Sequence, residues 1–344
     1  MKILVSALEK SANVHLKELL KEGNFEICGI FDENLGDSLI DLQSLSVMGF
    51  SDVLKKINLF LNLQKKMLSL AKDVDKVLLI DSSGFNLPLA KKIKSKYPNK
   101  KIIYYILPQA WAWRRGRIKT LEKYIDKLCS ILPFEKEYYS KDAPIEYVGH
   151  PLLDEIKDFK TSLTNSDTIA FMPGSRKSEI KALMPIFKEV RKKIDKKALL
   201  VVPKHFKNSI NEIYGNIDDF MVTYNPYEAL KRSEFAFICS GTATLESTLI
   251  GTPFVLSYIA KPLDYFIAKN LVNLKYVGLS NIFMQQMKKE PIHPEFLQKD
   301  VTVKNLLNAY ENFDKDMFLK NSFLIREYLK HGSSKRVAKI VSKL

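Results

Sequence analysis

Short apolar runs alternate with stretches of helical spacing from one end of the chain to the other. The runs fall at residues 2–7, 26–31, 76–80, 102–107, 127–132 and 146–148 in the first half. In the second half they fall at 168–172, 198–202, 221–224, 235–239 and 254–258. Each is short enough for a strand, and near-continuous hydrophobicity is the mark of strands covered on both faces. Strands alternating with helices predict an α/β protein of doubly wound parallel sheets, which bind ligands beyond the carboxyl ends of their strands. Residues 158–167 are polar and without periodicity, so a domain boundary is expected there, between 1–157 and 158–315. After Pro294 the pattern turns helical to its end, and no further strand is expected.

Two of the runs end in turns of small residues. Phe171-Met172 leads into Pro173-Gly174-Ser175-Arg176, and the run ending at Cys239 leads into Ser240-Gly241-Thr242-Ala243-Thr244-Leu245-Glu246. A strand that ends in such a turn and opens a helix points backbone N–H groups at one spot, where the helix dipole is positive. Gly174 and Gly241 let the backbone approach a ligand closely, and Arg176 can grip a phosphate through two N–H bonds. Glu246 lies one turn into its helix on the face of Thr242, a carboxylate suited to the paired hydroxyls of a ribose. Taken singly, the first is a turn with a solvated arginine and the second an ordinary helix cap. Together in one half of the chain they point to a nucleotide-diphosphate site without a metal.

At 344 residues the chain is long enough for two domains, and 46% hydrophobic with 27% charged residues is the composition of a folded protein. The net charge of +15 favours an anionic partner: nucleic acid, a phosphorylated substrate or an acidic membrane face. Cys28, Cys129 and Cys239 sit in strand-like contexts without a CxxC pair, and read as buried thiols in a reducing compartment. The first apolar run stops at Glu9-Lys10, too short for a secretory segment, and nowhere does an apolar stretch approach the roughly 20 residues of a spanning helix. A cytoplasmic protein is expected, able to touch a membrane from outside.

Several residues carry candidate chemistry. Asp81 ends the run at 76–80, where a general base is useful, although a turn-forming Asp is the commoner fate of such a residue. Asp73-Val74-Asp75 has the spacing of a metal-holding pair but precedes its strand, so no metal is expected there. Trp111 and Trp113 stand beside Arg114, Arg115 and Arg117 after the run at 102–107. They could stack on bases, pack against a sugar, or lie indoors while the arginines stay solvated. Residues 53–71 are apolar over more than half a helical circumference, carry Lys55, Lys56, Lys65 and Lys66, and contain no acid. Such a helix suits an anionic membrane surface, through Leu54, Ile57, Leu61 and Leu68, or else a well-buried position between sheet and neighbour. Of the five histidines, His150 alone ends a strand at the ligand side. GxGxxG, Walker, GxSxG and HExxH patterns are absent.

These residues together resemble the lipid-A-disaccharide synthase family, inverting glycosyltransferases (family 19) of the GT-B type, over essentially the full chain. The resemblance is carried in order by residues 45–49, Phe85-Asn86-Leu87, Trp111-Ala112-Trp113-Arg114, Leu132-Pro133-Phe134-Glu135 and Val148-Gly149-His150-Pro151. It continues through Pro173-Gly174-Ser175-Arg176 with Glu179, the segment from Ser240 to Glu246, Lys261-Pro262-Leu263, Ala268-Lys269, Leu271-Val272, Asn281 and Glu295-Phe296-Leu297-Gln298. It implies two Rossmann-like domains facing a cleft, with C-terminal helices 316–344 packing back on the first. It also implies a reaction in which UDP-2,3-diacylglucosamine gives its sugar to the 6-hydroxyl of 2,3-diacylglucosamine 1-phosphate. The products are a β-1,6-linked disaccharide 1-phosphate and UDP, an intermediate of lipid A in Gram-negative envelopes.

By the same resemblance the donor is held by Gly174, Ser175, Arg176, Ser240, Gly241, Thr242, Ala243, Glu246, Asn281, Glu295 and Gln298. Asp81 is implied as the catalytic base, with Glu9, Ser11, Asn86, Trp111, Trp113, Arg114 and His150 on the acceptor side. No cofactor and no nucleic acid are implied. Peripheral association with the anionic inner-membrane surface is, as is a homodimer that exchanges C-terminal segments. The chain departs from the family pattern in two loops. Leu8-Glu9-Lys10-Ser11-Ala12-Asn13 stands where Gly-Glu-x-Ser-Gly-Asp is usual, and Ser82-Ser83-Gly84 where Ala-Pro-Asp is usual. Both departures bear on the acceptor side. The rival readings are another GT-B UDP-sugar transferase acting on a lipid-linked acceptor, and a basic nucleic-acid-binding protein.

Overall fold

The computed structural model describes residues 1–42, 53–162, 166–260 and 275–344, with the backbone alone for 53–57. The chain divides into two compact units, Met1–Glu155 with Leu329–Leu344, and Ile156–Tyr328.

Unit one is a six-stranded parallel sheet. Its strands are β1 (Lys2–Ser6), β2 (Glu26–Ile30), β3 (Lys76–Ile80), β4 (Lys101–Tyr105), β5 (Lys127–Ser130) and β6 (Ile145–Tyr147), in the spatial order β2-β1-β3-β4-β5-β6. The helices are α1 (Lys10–Leu20), α2 (Val53–Leu70), α3 (Ser83–Lys96), α4 (Gly116–Tyr124) and α5 (Leu152–Glu155). Side chains alternate along each strand, which makes two cores from one sheet. Leu4, Val77, Leu79, Ile102, Tyr104 and Leu128 face one way, against Leu63 and Met67 of α2, Leu89 and Ile93 of α3 and Leu121 of α4. Ile3, Val5, Leu78, Ile80, Ile103, Tyr105 and Cys129 face the other, against Ala12, Leu16 and Leu19 of α1. Both faces are therefore dry, which is why these strands read as continuous apolar runs.

Unit two repeats the architecture. Strands β7 (Thr168–Met172), β8 (Lys197–Val201), β9 (Met221–Thr223), β10 (Phe235–Cys239), β11 (Phe254–Tyr258) and β12 (Glu295–Leu297) lie in the order β12-β11-β10-β7-β8-β9, all parallel. The helices are α6 (Lys177–Arg191), α7 (Ile210–Tyr214), α8 (Pro226–Arg232), α9 (Thr242–Ile250), α10 (Leu279–Gln286), α11 (Val303–Glu311) and α12 (Lys315–Leu329). Stacked aromatics fill the core: Phe171 lies 5.1 Å from Phe237 and 5.3 Å from Phe220.

Two expectations change here. A strand does follow Pro294: β12 pairs with β11 through Leu256↔Glu295 and Tyr258↔Leu297. It is three half-buried residues long, with no apolar run to announce it. The C-terminal helices also do not act together. α12 docks within unit two, where Arg326 Nε donates to Leu249 O at 2.7 Å and Phe318 packs on Phe254 at 5.9 Å. The helix that returns to unit one is α13 (Ser333–Lys343), whose Val337, Ala338 and Val341 complete the core beneath α1. Among the described residues no helix is long and apolar enough to cross a membrane.

Candidate active site

In an open parallel sheet the ligand crevice opens where the chain reverses its direction of strand addition. In unit one that point lies between β1 and β3, and in unit two between β7 and β10. Asp81 directly follows β3, and the two small-residue turns directly follow β7 and β10. The candidate residues thus stand at the switch point of their own sheets.

In unit two the turn after β7 is bound from within. Gly174 has φ 108°, and a Cβ there would stand 2.6 Å from Glu179 Oε2. The buried Glu179 carboxylate accepts from the backbone N–H groups of Ser175 and Arg176, each at 3.2 Å, and from Arg176 Nη1 at 2.6 Å. Those two N–H groups are therefore committed to closing the start of α6, which corrects the expectation that they are free for a phosphate. The Arg176 side chain remains 75% exposed, so Glu179 fixes one end of the guanidinium and leaves the rest open. At α9 the free donors are found. Gly241 has φ 146°, and the N–H groups of Gly241, Thr242 and Ala243 make no hydrogen bond among the described residues. Gly241 and Thr242 are exposed, Ser240 and Ala243 half-buried, and Glu246 lies half-buried one turn on.

Three other residues expected on the donor, Asn281, Glu295 and Gln298, make hydrogen bonds within unit two. Asn281 is buried, its Nδ2 donating to His293 O at 2.9 Å and Glu295 Oε1 at 2.8 Å, its Oδ1 accepting from Ile292 N–H at 2.8 Å. Glu295 also accepts from Val277 and Gly278 N–H at 2.7 and 3.1 Å; burial raises its carboxyl, and these bonds partly offset the rise. Gln298 accepts from Ala260 N–H at 3.0 Å and donates to Ala260 O at 3.3 Å. The amide of Asn281 has no donor left over for a ligand.

In unit one the peptide after β3 is under strain. Asp81 and Ser82 have φ 50° and 42°, a conformation costing non-glycine residues about 1–3 kcal/mol each. The strain is held by a clamp. Asp81 N–H donates to Tyr105 O at 3.0 Å, while Asp81 O accepts from Asn86 Nδ2 at 2.8 Å and from the Tyr104 hydroxyl. Asn86 is itself buried, accepting from Ser6 Oγ at 2.6 Å. It fixes the backbone of Asp81. Burial raises the Asp81 carboxyl, partly offset by the Ser82 N–H and the His15 imidazole; Glu9 is raised by burial and by Asp81. Glu9 is exposed at the N-cap position of α1 without a side-chain capping hydrogen bond, and Ser11 is exposed on the first turn. Asn13, one of the departures from the family pattern, donates to Ala7 O at 2.8 Å and Glu9 O at 2.9 Å, and accepts from Asp32 N–H at 2.7 Å. An ionised Asp could not make the first two bonds, so this departure is a change in loop bracing.

The two tryptophans part company. Trp111 is buried, edge-on to Phe134 at 4.9 Å. Trp113 is 39% exposed, with Arg114 and Arg117 at 4.5 and 5.6 Å from its ring. Next to Phe134, the Glu135 carboxyl is pushed up to about 8 by burial, with Ser130 Oγ 2.5 Å from Oε2. His150 is also interior: its Nδ1 accepts from Leu152 N–H at 3.4 Å, and burial pushes the ring down to about 3. It is a core histidine where an acceptor contact was expected.

The side chains of Leu54 and Ile57, expected on the membrane face, lie outside the described residues, as do residues 45–49 and 261–274. Leu61 is 46% exposed beside Phe60 at 36%, whereas Leu68 packs against the sheet and is not a surface residue of that stripe. Among the described residues no three His, Cys, Asp or Glu side chains come together as a metal site. Sequence reasoning passed over His15, whose signal was a polar residue at a buried position of α1, between Ala12 and Leu16.

The family model for lipid-A-disaccharide synthetase matches residues 3–340. The chain is 49% identical to the lipid-A-disaccharide synthase of Helicobacter pylori strain G27, over 98% of this chain and 96% of that one. It is 46% identical to the enzyme of that name from Campylobacter jejuni strain RM1221, over 99% of both. Solved structures similar in fold include the UDP-GlcNAc 2-epimerase of Neisseria meningitidis (TM-score 0.64, 12% identity, 100% of both chains). The MurG of Acinetobacter baumannii is another (TM-score 0.56, 12% identity, 100% of this chain and 99% of that). At such identities they speak for the two-Rossmann-domain architecture alone. The chain belongs to the lipid-A-disaccharide synthase family.

Proposed function

We propose that this chain joins UDP-2,3-diacylglucosamine to 2,3-diacylglucosamine 1-phosphate, releasing UDP and the β-1,6-linked disaccharide 1-phosphate. One observation in the structure supports it most: the switch points carry complementary chemistry, a strained, half-dry carboxyl in unit one and an exposed amide cradle in unit two. Asp81 takes the proton of the acceptor 6-hydroxyl as its oxygen bonds to the anomeric carbon, on the face opposite the leaving group. The anomeric C–O bond breaks with its electron pair going to the diphosphate. The N–H groups of Gly241, Thr242 and Ala243, the positive end of α9 and Arg176 stabilise that charge, the work a cation does elsewhere. Glu246 takes the ribose hydroxyls.

The acyl chains of both substrates belong in a membrane, and exposed Phe60 and Leu61 beside exposed Lys65 and Lys66 suit an anionic bilayer surface. The nucleic-acid reading loses its support, because Trp111 lies indoors and a lone exposed Trp113 makes no stacking platform. The test is mass spectrometry of products formed on anionic vesicles carrying both substrates, with sedimentation of the protein measured in the same tubes. Disaccharide 1-phosphate and UDP in equal amounts, with protein in the pellet, are expected. No disaccharide from that pair would overturn the reaction, and protein left in the supernatant would overturn the membrane reading.

A further inference from the structure

Asp81 needs somewhere to pass the proton it takes, and a largely buried pair, His15–Glu155, has a member near enough to act on its carboxyl. β1 lies beside β3 in register, Ser6 opposite Leu79, and α1 starts just beyond the carboxyl end of β1. The first turns of α1 therefore stand at the crevice that Asp81 occupies. Two polar residues of α1 are buried there, Asn13 and His15. Asn13 is spent on bracing the loop from Ala7 to Glu9. His15 braces nothing in α1 or β1. Its side chain is 10% exposed, and its Nδ1 is hydrogen-bonded to Glu155 Oε1, from α5, which is 18% exposed. A carboxylate on Nδ1 selects the tautomer with the hydrogen there and leaves the Nε2 lone pair to accept a proton. Nε2 makes no hydrogen bond among the described residues. In its protonated form the imidazole is near enough to lower the Asp81 carboxyl, partly offsetting burial, and to add to the depression of the buried His150.

We propose that the His15–Glu155 pair is the proton outlet of Asp81, a positioning pair that acts on the reaction through that carboxylate. The inference rests on the reading of Asp81 as the base. Asp81 becomes a carboxylic acid when the acceptor hydroxyl loses its proton, and that proton reaches Nε2 of His15 through water, since no hydrogen bond joins the two side chains among the described residues. Glu155 holds the Nδ1–H throughout and stabilises the imidazolium. Nε2 then releases the proton to water, leaving Asp81 ionised for the next turnover. One proton leaves per glycosyl transfer, matching the one lost by the acceptor.

The experiment measures kcat, donor KM and melting temperature for His15→Gln, His15→Ala, Glu155→Gln, Asp81→Asn and the double variant Asp81→Asn/His15→Gln. His15→Gln should lower kcat by about 10²-fold with donor KM unchanged. Glu155→Gln, which keeps a hydrogen-bonding group and removes the charge, should lower kcat in the same sense by less. Added imidazole should restore part of the His15→Ala rate, which a packing defect would not allow. In the Asp81→Asn background His15→Gln should cost nothing further, because a pair acting through Asp81 has nothing left to serve. A His15→Gln rate equal to wild type, or a loss that imidazole does not relieve and that multiplies with Asp81→Asn, overturns the outlet. If Asp81→Asn itself keeps full rate, the base reading fails first, and that result is separate from either outcome at His15.

Discussion

The two switch points solve the same topological problem with opposite materials. In unit two the crevice is made from backbone, with Gly174 and Gly241 at positive φ and exposed N–H groups at the start of α9. In unit one it is made from side chains, and the residues at positive φ beside it are Asp81 and Ser82, which carry the penalty that glycine avoids. A diphosphate brings its own charge and asks only for donors, which peptide groups supply at little cost. A proton acceptor has to be a side chain, aimed and partly dried. Unit one therefore braces Asp81 with the buried Asn86 and Tyr104, and sets Glu9 and His15 near enough to act on its carboxyl. The proposed division of labour between base and anion cradle matches what each crevice is built from.

The largest expected effect breaks the comparison at the base. Asp81→Asn keeps the size of the side chain but cannot take a proton, so the rate should fall by at least about 10²-fold while UDP binds as before. Isothermal titration with UDP beside the rate assay checks both halves. A modest loss of rate that follows a lowered melting temperature would make Asp81 a turn residue.

A smaller effect is expected at the cradle. Arg176→Ala removes a charge-assisted contact worth about 1.5–3 kcal/mol, so UDP affinity should weaken by roughly tenfold to 10²-fold. The fold should survive, because Glu179 keeps its two backbone donors and the lost side chain is 75% exposed. Unchanged UDP affinity would remove Arg176 from the donor side.

The smallest effect sharpens the contrast in burial. Glu135 has an ordinary value of 4.5 and is raised to about 8 in the folded chain, so the folded state holds the proton more tightly than the unfolded one. That contribution to stability is whole below about 4.5 and is lost as pH rises through about 8. Glu135→Gln, which stays neutral, should melt progressively higher than wild type as pH rises across this window. Scanning calorimetry at several pH values reads the gap, and a constant gap would mean that Glu135 is ionised throughout.

Most of the architecture was legible because parallel strands buried on both faces cannot hide. The strands at 76–80, 168–172, 235–239 and 254–258 have the limits that their apolar runs suggest. Others end early where the backbone turns: β4 stops at Tyr105 because Ile106 adopts φ 62°. β12 was illegible, since three half-buried residues at the border of a sheet need no hydrophobic run. The glycine turns announced the amide cradle, whereas nothing local announced that Glu179 consumes two of the N–H groups beside it. The His15–Glu155 pair spans 140 residues of sequence, and only the folded sheet brings its members together. Trp111 and Trp113, two residues apart, separate into core and surface on the turn between them.

The return of α13 has a consequence in time. Asp154 caps its start, accepting from Gly332 N–H at 2.7 Å and Ser334 N–H at 2.8 Å, and its apolar face closes one of the two cores of unit one. During synthesis, unit one is therefore the first to be begun and the last to be finished, because the whole of unit two is made before the helix that seals it. Until then the core that Ala12, Leu16 and Leu19 of α1 form with the sheet lacks the side that α13 supplies. The nascent chain carries an unsealed sheet through the making of an entire second domain, the interval in which a chaperone has most to shield.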